Sequence, residues 1–441
     1  MTASDYRITI IDSIEQFSKE RWQNLAKDAG PFLSYEFLHA LERSGSCCNE
    51  SGWQPCHIAI AKGQHEAANL VIPGYLKTHS YGEYVFDHAW ANAYAQHGLD
   101  YYPKWISAIP FTPVTGPRLL CDGHIMLTPA LLHELEDTVA TYVESVFGET
   151  LSSFHWLFPN ESTSAQITSS GIHKANDLSD DLSIARLRDQ SDTLNRYLTR
   201  YVVQFQWHNY GYGDFDDFLN ALTSRKRKDI KKSRRKLNEQ GVRFTHHTGN
   251  EISPETLQFF TKCYKATYLK RSGHVGYLND AFFEQLVESM SDNMLIVTAI
   301  ENEVAVASAL FFYDETGLYG RYWGALKEID GLHFACCYFE GIEFAIEKKL
   351  SLFNPGTQGE HKILRGFEPI YCRSHHKLQH PSFHTAVADF LQRETPHIAS
   401  YFNQARNALP FNKEFVPTLK TTSVTAPNDD TYNHNEKNDE I

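Results

Sequence analysis

The sequence predicts an α/β (α+β) protein in which one module, a mixed and mostly antiparallel sheet flanked by helices, occurs twice in tandem. Strand-like and helix-like stretches follow one another in the same order in both halves of the 441-residue chain. A shift of 238 positions aligns residues 56–84 with the second half without a gap. Ala61 then falls on Ala299, Ala67 on Ala305, Tyr75 on Tyr313 and Thr78 on Thr316, and Tyr81-Gly82-x-Tyr84 on Tyr319-Gly320-x-Tyr322. Upstream, Leu33, Phe37 and Leu41 match Leu278, Phe282 and Leu286; downstream, after a gap, Gly98-Leu99 matches Gly331-Leu332. Chance gives one or two such matches, not a set in corresponding elements, so the chain reads as a duplication.

The elements follow in order. Residues 14–27 and 34–43 are expected to be helices, the second with Phe37, Leu38 and Leu41 on one face. Strands are expected at 57–61, 67–76 and 81–86, a helix at 99–109 and a strand at 153–158. In the second half a helix is expected at 277–290. Strands follow at 295–300, 304–313 and 318–324, then a long helix at 332–349 and a strand at 350–353. A meander followed by a crossover helix gives a mixed sheet with helices on both faces. The boundaries are set at 1–212 for the first module, 213–241 for a basic connecting helix and 242–412 for the second module. The tail, 413–441, is expected to be disordered, above all 421–441, which is rich in Asn, Asp and Thr.

Bulk composition narrows the function. At 42% hydrophobic and 13% aromatic residues the chain can bury large cores. Its net charge of -13 argues against general nucleic-acid binding, so any basic function must be local. The eight cysteines form no Cys-x-x-Cys pair, and Cys47-Cys48 and Cys336-Cys337 are adjacent. That spacing suits neither ordinary disulfides nor tetrahedral zinc, and free thiols in the cytoplasm are expected. The first residues carry no basic region followed by an apolar run, so no secretion signal is expected. No run approaches the ~18 apolar residues of a membrane span.

Residues 354–369 (Asn-Pro-Gly-Thr-Gln-Gly-Glu-His-Lys-Ile-Leu-Arg-Gly-Phe-Glu-Pro) read as the working centre. Three glycines and two prolines surround Glu360, His361, Lys362 and Arg365. Ordering such a loop is costly unless its charged groups have a task. It follows a strand-like run, where ligand sites often lie.

Several motifs carry a family resemblance: Pro31-Phe-Leu-Ser-Tyr-Glu-Phe-Leu38, Gln204-Phe-Gln-Trp-His-Asn209, Ser224-Arg-Lys-Arg-Lys228, Tyr322-Trp-Gly324, Leu332-His-Phe334, Gly356-x-x-Gly-Glu-His-Lys362 and Arg365-Gly-Phe367. On these the chain resembles the FemAB-like group of the GNAT acyltransferase superfamily, from about residue 14 to 411. The resemblance implies GNAT-like modules, in which two central strands splay apart and admit an acyl donor. It also implies N-acyl or aminoacyl transfer to an amine acceptor such as a peptidoglycan precursor. No tightly bound cofactor is implied, and the donor is either aminoacyl-tRNA or acyl-CoA. CoA-dependent members carry Gln/Arg-x-x-Gly-x-Gly/Ala before the crossover helix, where backbone N–H groups hold pyrophosphate. Residues 324–332 lack that glycine spacing and place Glu328 and Asp330 there, which disfavours phosphate. Residues 87–98 lack the spacing too.

Acyl transfer to an amine needs a base, a donor to the tetrahedral oxyanion and a hold on the leaving group. Glu360 or His361 is a candidate base, and Lys362 or Arg365 can face the oxyanion or a phosphate. Gly356 and Gly359 let the backbone approach a substrate, with Gly366 and Phe367 beside them. The competing structural reading is a Glu360–Arg365 ion pair with His361 capping a turn. Fem ligases carry Phe-Lys-x-x-Phe-Gly near here, and either Lys362 or Arg365 matches its lysine. Tyr319, Arg321, Tyr322 and Trp323 alternate along a strand, so one face can line an acyl pocket. Trp207 and His208 occupy the repeat position of residues 371–376, so two His-bearing strands can face one cleft; aromatic core is the competing reading.

Residues 225–236 hold nine Lys/Arg and one acid, Asp229. Leu219, Leu222, Ile230 and Leu237 make a thin apolar seam, and Gly241 is a helix stop. Arg225, Lys226, Arg227, Lys228, Lys231, Lys232, Arg234 and Arg235 are a candidate polyanion surface, for tRNA among others; a solvated face is the alternative. His376, His380 and His384 are spaced by four, but Pro381 is expected to interrupt any helix aligning them, and no metal site is expected. The resulting expectation is an N-acyltransferase. The alternatives are a CoA-dependent N-acetyltransferase and a non-catalytic binder of peptidoglycan fragments or tRNA.

Overall fold

The computed structural model describes residues 6–63, 67–123, 125–168, 197–357 and 359–415. The first half runs β1 (Tyr6–Ile11), α1 (Lys19–Leu25), α2 (Tyr35–Arg43), β2 (Trp53–Pro55), β3 (His57–Lys62), β4 (Leu70–Ile72), β5 (Tyr75–Lys77) and α3 (His88–Gln96). It continues through β6 (Lys104–Ser107), β7 (Leu120–Cys121), α4 (Pro129–Phe147), β8 (Ser153–Leu157), α5 (Glu161–Thr168) and β9 (Leu198–His208). Helices α6 (Phe215–Ala221) and α7 (Ser224–Glu239) lead into the second half. There follow β10 (Val242–Thr248), α8 (Pro254–Ser272), α9 (Asp280–Met290), β11 (Met294–Glu301), β12 (Val304–Tyr313) and β13 (Gly317–Ala325). Helix α10 is a continuous rod with a π-helical turn, Ala335–Phe339, between the turn Leu332–Phe334 and the α-helix Glu340–Glu347. Then come β14 (Leu352–Asn354), a 3-10 segment (Glu360–Arg365), β15 (Glu368–Leu378) and α11 (Pro381–Asn407).

The two halves repeat one pairing scheme. Strands β10, β11, β12 and β13 are antiparallel neighbours, and β13 pairs with β14 in parallel. In the first half β2 runs into β3 across Cys56, and β4 into β5 across Pro73-Gly74, so each pair acts as one bent strand. β1 pairs with β3, β3 with β4, β2 with β5 and β5 with β6, all antiparallel, and β6 pairs with β8 in parallel. The bend sends β3 and β4 into a four-stranded sheet with β1 and β7, while β2 and β5 stay in a sheet of eleven strands.

At the middle of the large sheet the order is β13-β14-β9-β15-β8-β6. β9, from the first half, lies against β14 of the second; β15, from the second half, lies against β8 of the first. β9 and β15 pair with each other from Glu368↔Gln206 to His376↔Leu198. The halves have exchanged their last strands, and one sheet runs through both.

Side chains of a strand alternate between faces, and both faces here are covered. Met294 and Ile296 of β11 join a core with Phe282 and Leu286 of α9 and Phe260 of α8. Leu295, Val297 and Ala299 join another with Ala335, Phe339 and Ile342 of α10. Each half is thus a mixed, mostly antiparallel sheet flanked by helices, and the chain holds two.

Several local expectations are corrected. Residues 81–86 are a turn-rich loop, because Gly82 and Tyr84 adopt positive φ. The strand equivalent to β13 is β6, within the stretch expected to be helical; Trp105 and Ile106 are both fully buried there. A short apolar run does not separate helix from strand by period alone. The partner of α10 is therefore α4, and the repeat alignment stops being structural after about Thr78. The helix expected at 14–27 is a 3-10 turn (Ile14–Gln16) followed by α1, which Ser18 caps. Pro381 does not interrupt a helix but opens one, in the first turn, where its missing N–H costs nothing. Most of the tail, 416–441, lies outside the described residues, whereas Phe415 still packs on Tyr212 and Tyr210.

Candidate active site

β13 and β14 stay paired only from Gly317↔Leu352 to Tyr319↔Asn354, after which β13 runs on to Ala325 while β14 ends. The strands part, and a cavity of about 460 Å³ opens between them. Its wall includes Phe311 of β12, Arg271 of α8, His333 and Tyr338 of α10, Pro355, and Tyr84 from the first half. Gly320, Arg321, Tyr322 and Trp323 all line it in succession. Simple alternation does not allow this. The register slips between Leu310 and Phe311, leaving Arg321 as the extra residue of a bulge, and the bulge re-aims its neighbours. Tyr319 instead packs on Phe32 in the core. α8 crosses β13 so closely that a Cβ on Gly324 would lie 1.9 Å from the Cys263 carbonyl oxygen, so only glycine fits there.

Of the charged loop only Pro355 lines this cavity; the loop's 3-10 segment stands behind the wall, against Tyr338. Lys362 is buried, and its ammonium donates to the carbonyls of Gly356 (2.7 Å) and Thr357 (2.9 Å). Burial pushes its pKa down to about 7, with Arg321 acting in the same direction. His361 Nε2 lies 2.8 Å from the Tyr338 hydroxyl. Burial, Arg365 and Lys362 lower its pKa. The Arg365 guanidinium lies 3.4 Å from the Phe334 ring centroid and donates to the His361 carbonyl at 2.6 Å. Glu360 is exposed and turned toward Tyr401 of α11, away from the others. A Glu360–Arg365 ion pair does not form among the described residues.

The remaining sequence-derived residues divide. Tyr322 and Trp323 line the cavity. Gly356 sits beside the Gly320 carbonyl, and a Cβ on Gly359 would lie 2.3 Å from the His361 ring, so both hold the loop's shape. Gly366 packs near Phe218, and Phe367 is fully buried against Tyr338 and Phe353. Trp207 packs on Phe218 and Tyr212 in the core, and neither it nor His208 lines the cavity. The two His-bearing strands do not face one cleft. His376 lies opposite Leu198, ten residues along β9 from His208, roughly 33 Å at the rise of a strand. His376 meets His155 (2.6 Å) and Ser374 (2.7 Å) in the interior. His384 Nδ1 accepts the Leu378 N–H, and no cluster of described residues is placed to hold a metal.

Among the wall residues that sequence reasoning missed are Tyr84, Arg271, His333 and Tyr338. His333 lines this cavity and an adjoining one of about 580 Å³ at the start of α10. Burial first, then His361, Arg271, Arg365 and Lys362, lower its pKa to about 4, so its imidazole is neutral at pH 7. In the adjoining cavity Glu328 pairs with Lys270 and Asp330 with Lys236. The acids expected to repel phosphate are therefore each matched by a lysine.

A family model described as peptidoglycan biosynthesis/recognition, FemAB-like, matches residues 13–413. The chain belongs to the FemAB-like family. No curated protein matches it. Among solved structures it is similar to FemX, at 11% identity and TM-score 0.46, over 82% of this chain and 96% of that one. It is likewise similar to "L-PGS from Bacillus licheniformis", at 11% identity and TM-score 0.46, over 85% and 97%. A third is the C-terminal domain of a putative lysylphosphatidylglycerol synthetase from Agrobacterium fabrum, at 9% identity and TM-score 0.44, over 84% and 95%.

The basic helix of this FemAB-like chain is α7. Only Ile230 and Leu237 bury along it; Leu219 lies in α6, and Leu222 caps the end of α6. Five of its eight candidate cations have partners within the protein. Arg227 donates to the Leu219 carbonyl, Lys231 pairs with Asp216 and Arg234 with Glu343, while Lys226 and Arg235 meet Asp229 and Glu239 on the helix itself. Arg225, Lys228 and Lys232 are exposed and have no partner among the described residues. At 100° per residue they fall within one 60° stripe, with Arg235 beside it.

A second charged cluster in this FemAB-like chain lies buried in the first half. The Lys104 ammonium meets Asp87 (2.5 Å), Glu83 (2.8 Å) and Ser80 (2.9 Å). Burial pushes Glu83 up to about 7, whereas Lys104 holds Asp87 below the usual carboxylate range against the effect of burial. The loop that supplies Glu83 and Asp87 also carries Tyr84 into the cavity of the second half. All eight cysteines are free thiols, and no described helix is long and apolar enough to cross a membrane.

Proposed function

We propose that the chain is an N-acyltransferase that moves an aminoacyl or acyl group onto an amine acceptor such as a peptidoglycan precursor. The observation that carries this reading is the cavity at the parted β13 and β14, with a neutral imidazole and two arginines in its wall. In the proposed step the neutral acceptor amine attacks the acyl carbonyl. His333 or His361 takes the proton released from nitrogen. Arg321 or Lys362 balances the oxyanion, which collapses as the bond to the leaving oxygen or sulfur breaks. The leaving group takes up the proton. Glu360 has no part in this step, since it faces α11.

Aminoacyl-tRNA is the favoured donor, because α7 offers an unpaired basic stripe and residues 324–332 lack the glycine spacing of a pyrophosphate loop. Acyl-CoA is the second donor, because Glu328 and Asp330 are neutralised by lysines beside the start of α10. In this proposal the halves, about 1–212 and 242–412, are modules joined through 213–241. The second is catalytic, and the first lends Tyr84 and a strand.

The test supplies an amine-bearing peptidoglycan precursor with mixed aminoacyl-tRNA or with acetyl-CoA and weighs the acceptor by mass spectrometry. A mass gain with one donor supports transfer and names the donor. Tight acceptor binding without mass gain from either donor sinks the enzymatic reading in favour of a binding protein.

A further inference from the structure

The wall of the cavity between β13 and β14 contains Arg271, Arg321 and His333 and no aspartate or glutamate among the described residues. This runs against the composition, since the chain has 54 acids to 41 lysines and arginines. Arg271 makes no hydrogen bond or ion pair with a described residue. Arg321 donates one N–H to the Phe111 carbonyl, but its buried Nε has no partner. Behind the wall stand Lys362 and Arg365, and the Arg365 Nε is also buried without a partner. Cations gathered in a half-enclosed space repel one another, and buried N–H groups left unpaired cost free energy. Both costs fall when an anion enters. A guanidinium suits a planar carboxylate or a phosphate through two parallel hydrogen bonds. A cationic ligand group would meet only repulsion, despite the tyrosines around it.

We propose that this cavity is an anion-binding site that grips a carboxylate or phosphate group of a substrate through Arg271 and Arg321. The proposal rests on the cavity being the substrate site, but not on acyl transfer being the reaction. Arg271, at the end of α8, faces both cavities and meets the ligand first; Arg321, fixed by its bulge, holds it at depth.

The experiment measures the melting temperature of the full chain while inorganic phosphate, or separately acetate, replaces chloride at constant ionic strength. Wild type is expected to gain stability saturably with at least one anion, and which one identifies the group. Arg271→Gln is expected to raise the half-saturating concentration about tenfold or more, the loss of roughly 1.4 kcal/mol, and Arg271→Lys less. Arg321→Gln is expected to act similarly; because it also loses the Phe111 contact, Arg271→Gln is the deciding variant. The proposal is overturned if neither anion exceeds chloride, or if Arg271→Gln responds like wild type. Anion binding lost in Arg271→Gln, with no acyl transfer in the mass assay, upholds this site and rejects the acyltransferase reading alone.

Discussion

The imidazole of His361 and the hydroxyl of Tyr338, 2.8 Å apart, tie the charged loop to the π-turn of α10. The loop's histidine is thereby held directly behind a residue of the cavity wall. If His361 handles a proton, Tyr338→Phe should lower kcat about tenfold to a hundredfold, the range of general acid–base contributions, with little change in KM or melting temperature. Glu360→Ala should leave kcat within about twofold. Steady-state kinetics on both variants checks this, and full turnover by Tyr338→Phe would remove His361 from the mechanism.

Lys362 makes a different prediction. Its ammonium holds two loop carbonyls, so Lys362→Met should strand both acceptors. A loss of about 1–3 kcal/mol is expected, read as a lower urea midpoint with unchanged slope. A variant as stable as wild type would mean that the lysine is not holding the loop.

Lys104 is fully buried between two carboxylates. Removing one partner of a buried ion pair leaves an uncompensated charge and costs about 3–5 kcal/mol. Lys104→Met should destabilise by that order in denaturant. Where the variant is still folded, KM should rise more than kcat falls, because the loosened loop carries Tyr84 to the cavity. An unchanged KM would separate that loop from substrate binding.

Acid should destabilise the protein from about pH 6.5 downward. Burial lowers His155 and His375 to about 3 and His333 to about 4, and it lowers His376 as well. Such groups take up protons more readily when unfolded, so the stability they contribute is complete above their unfolded pKa near 6.5. It drains away as pH falls toward the folded values. Burial lowers His79 and His361 too; Glu83, raised to about 7, and Glu343, also raised by burial, act the opposite way, but they are two groups against six. Urea unfolding at pH 7.5 and pH 5.0 reads the balance; an equal or higher midpoint at pH 5.0 would contradict it.

On α7, neutralising Arg225, Lys228 and Lys232 together should weaken tRNA binding and reduce its salt slope by about 2–3, near 0.7–0.9 per charge. Stability should hardly change, because these exposed side chains make no hydrogen bond or ion pair with a described residue. Arg234→Ala should instead destabilise, since it lies over Phe215 and pairs with Glu343. Equal salt slopes for wild type and the triple variant would leave α7 as a solvated face.

The duplication, the β11–β12–β13 meander and the loop beside the cavity were legible because period-2 apolar runs and turn residues mark them locally. Helix α8 was legible too: Ser253 caps it, Pro254 starts it, and Leu257, Phe260, Thr261 and Tyr264 keep helical spacing. It was overlooked because lysines and threonines interrupt its apolar face, and Arg271 was overlooked with it. The bulge at Arg321 and the arrival of Tyr84 from the other half depend on pairings between distant residues, which no local pattern reports. The strand at 81–86 was misread because Tyr81 and Tyr84 mimic the repeat, while the positive φ at Gly82 and Tyr84 bends the chain away.

The exchange of β9 and β15 bears on how the chain is made. β8 leaves the ribosome long before its neighbour exists: His376 emerges 221 residues after His155, its partner in the interior. Until then the first half carries an open strand edge and an unfilled place among its buried histidines. An unpaired edge invites pairing with other chains. A cut between the halves would therefore leave each piece carrying the strand that completes the other's part of the sheet.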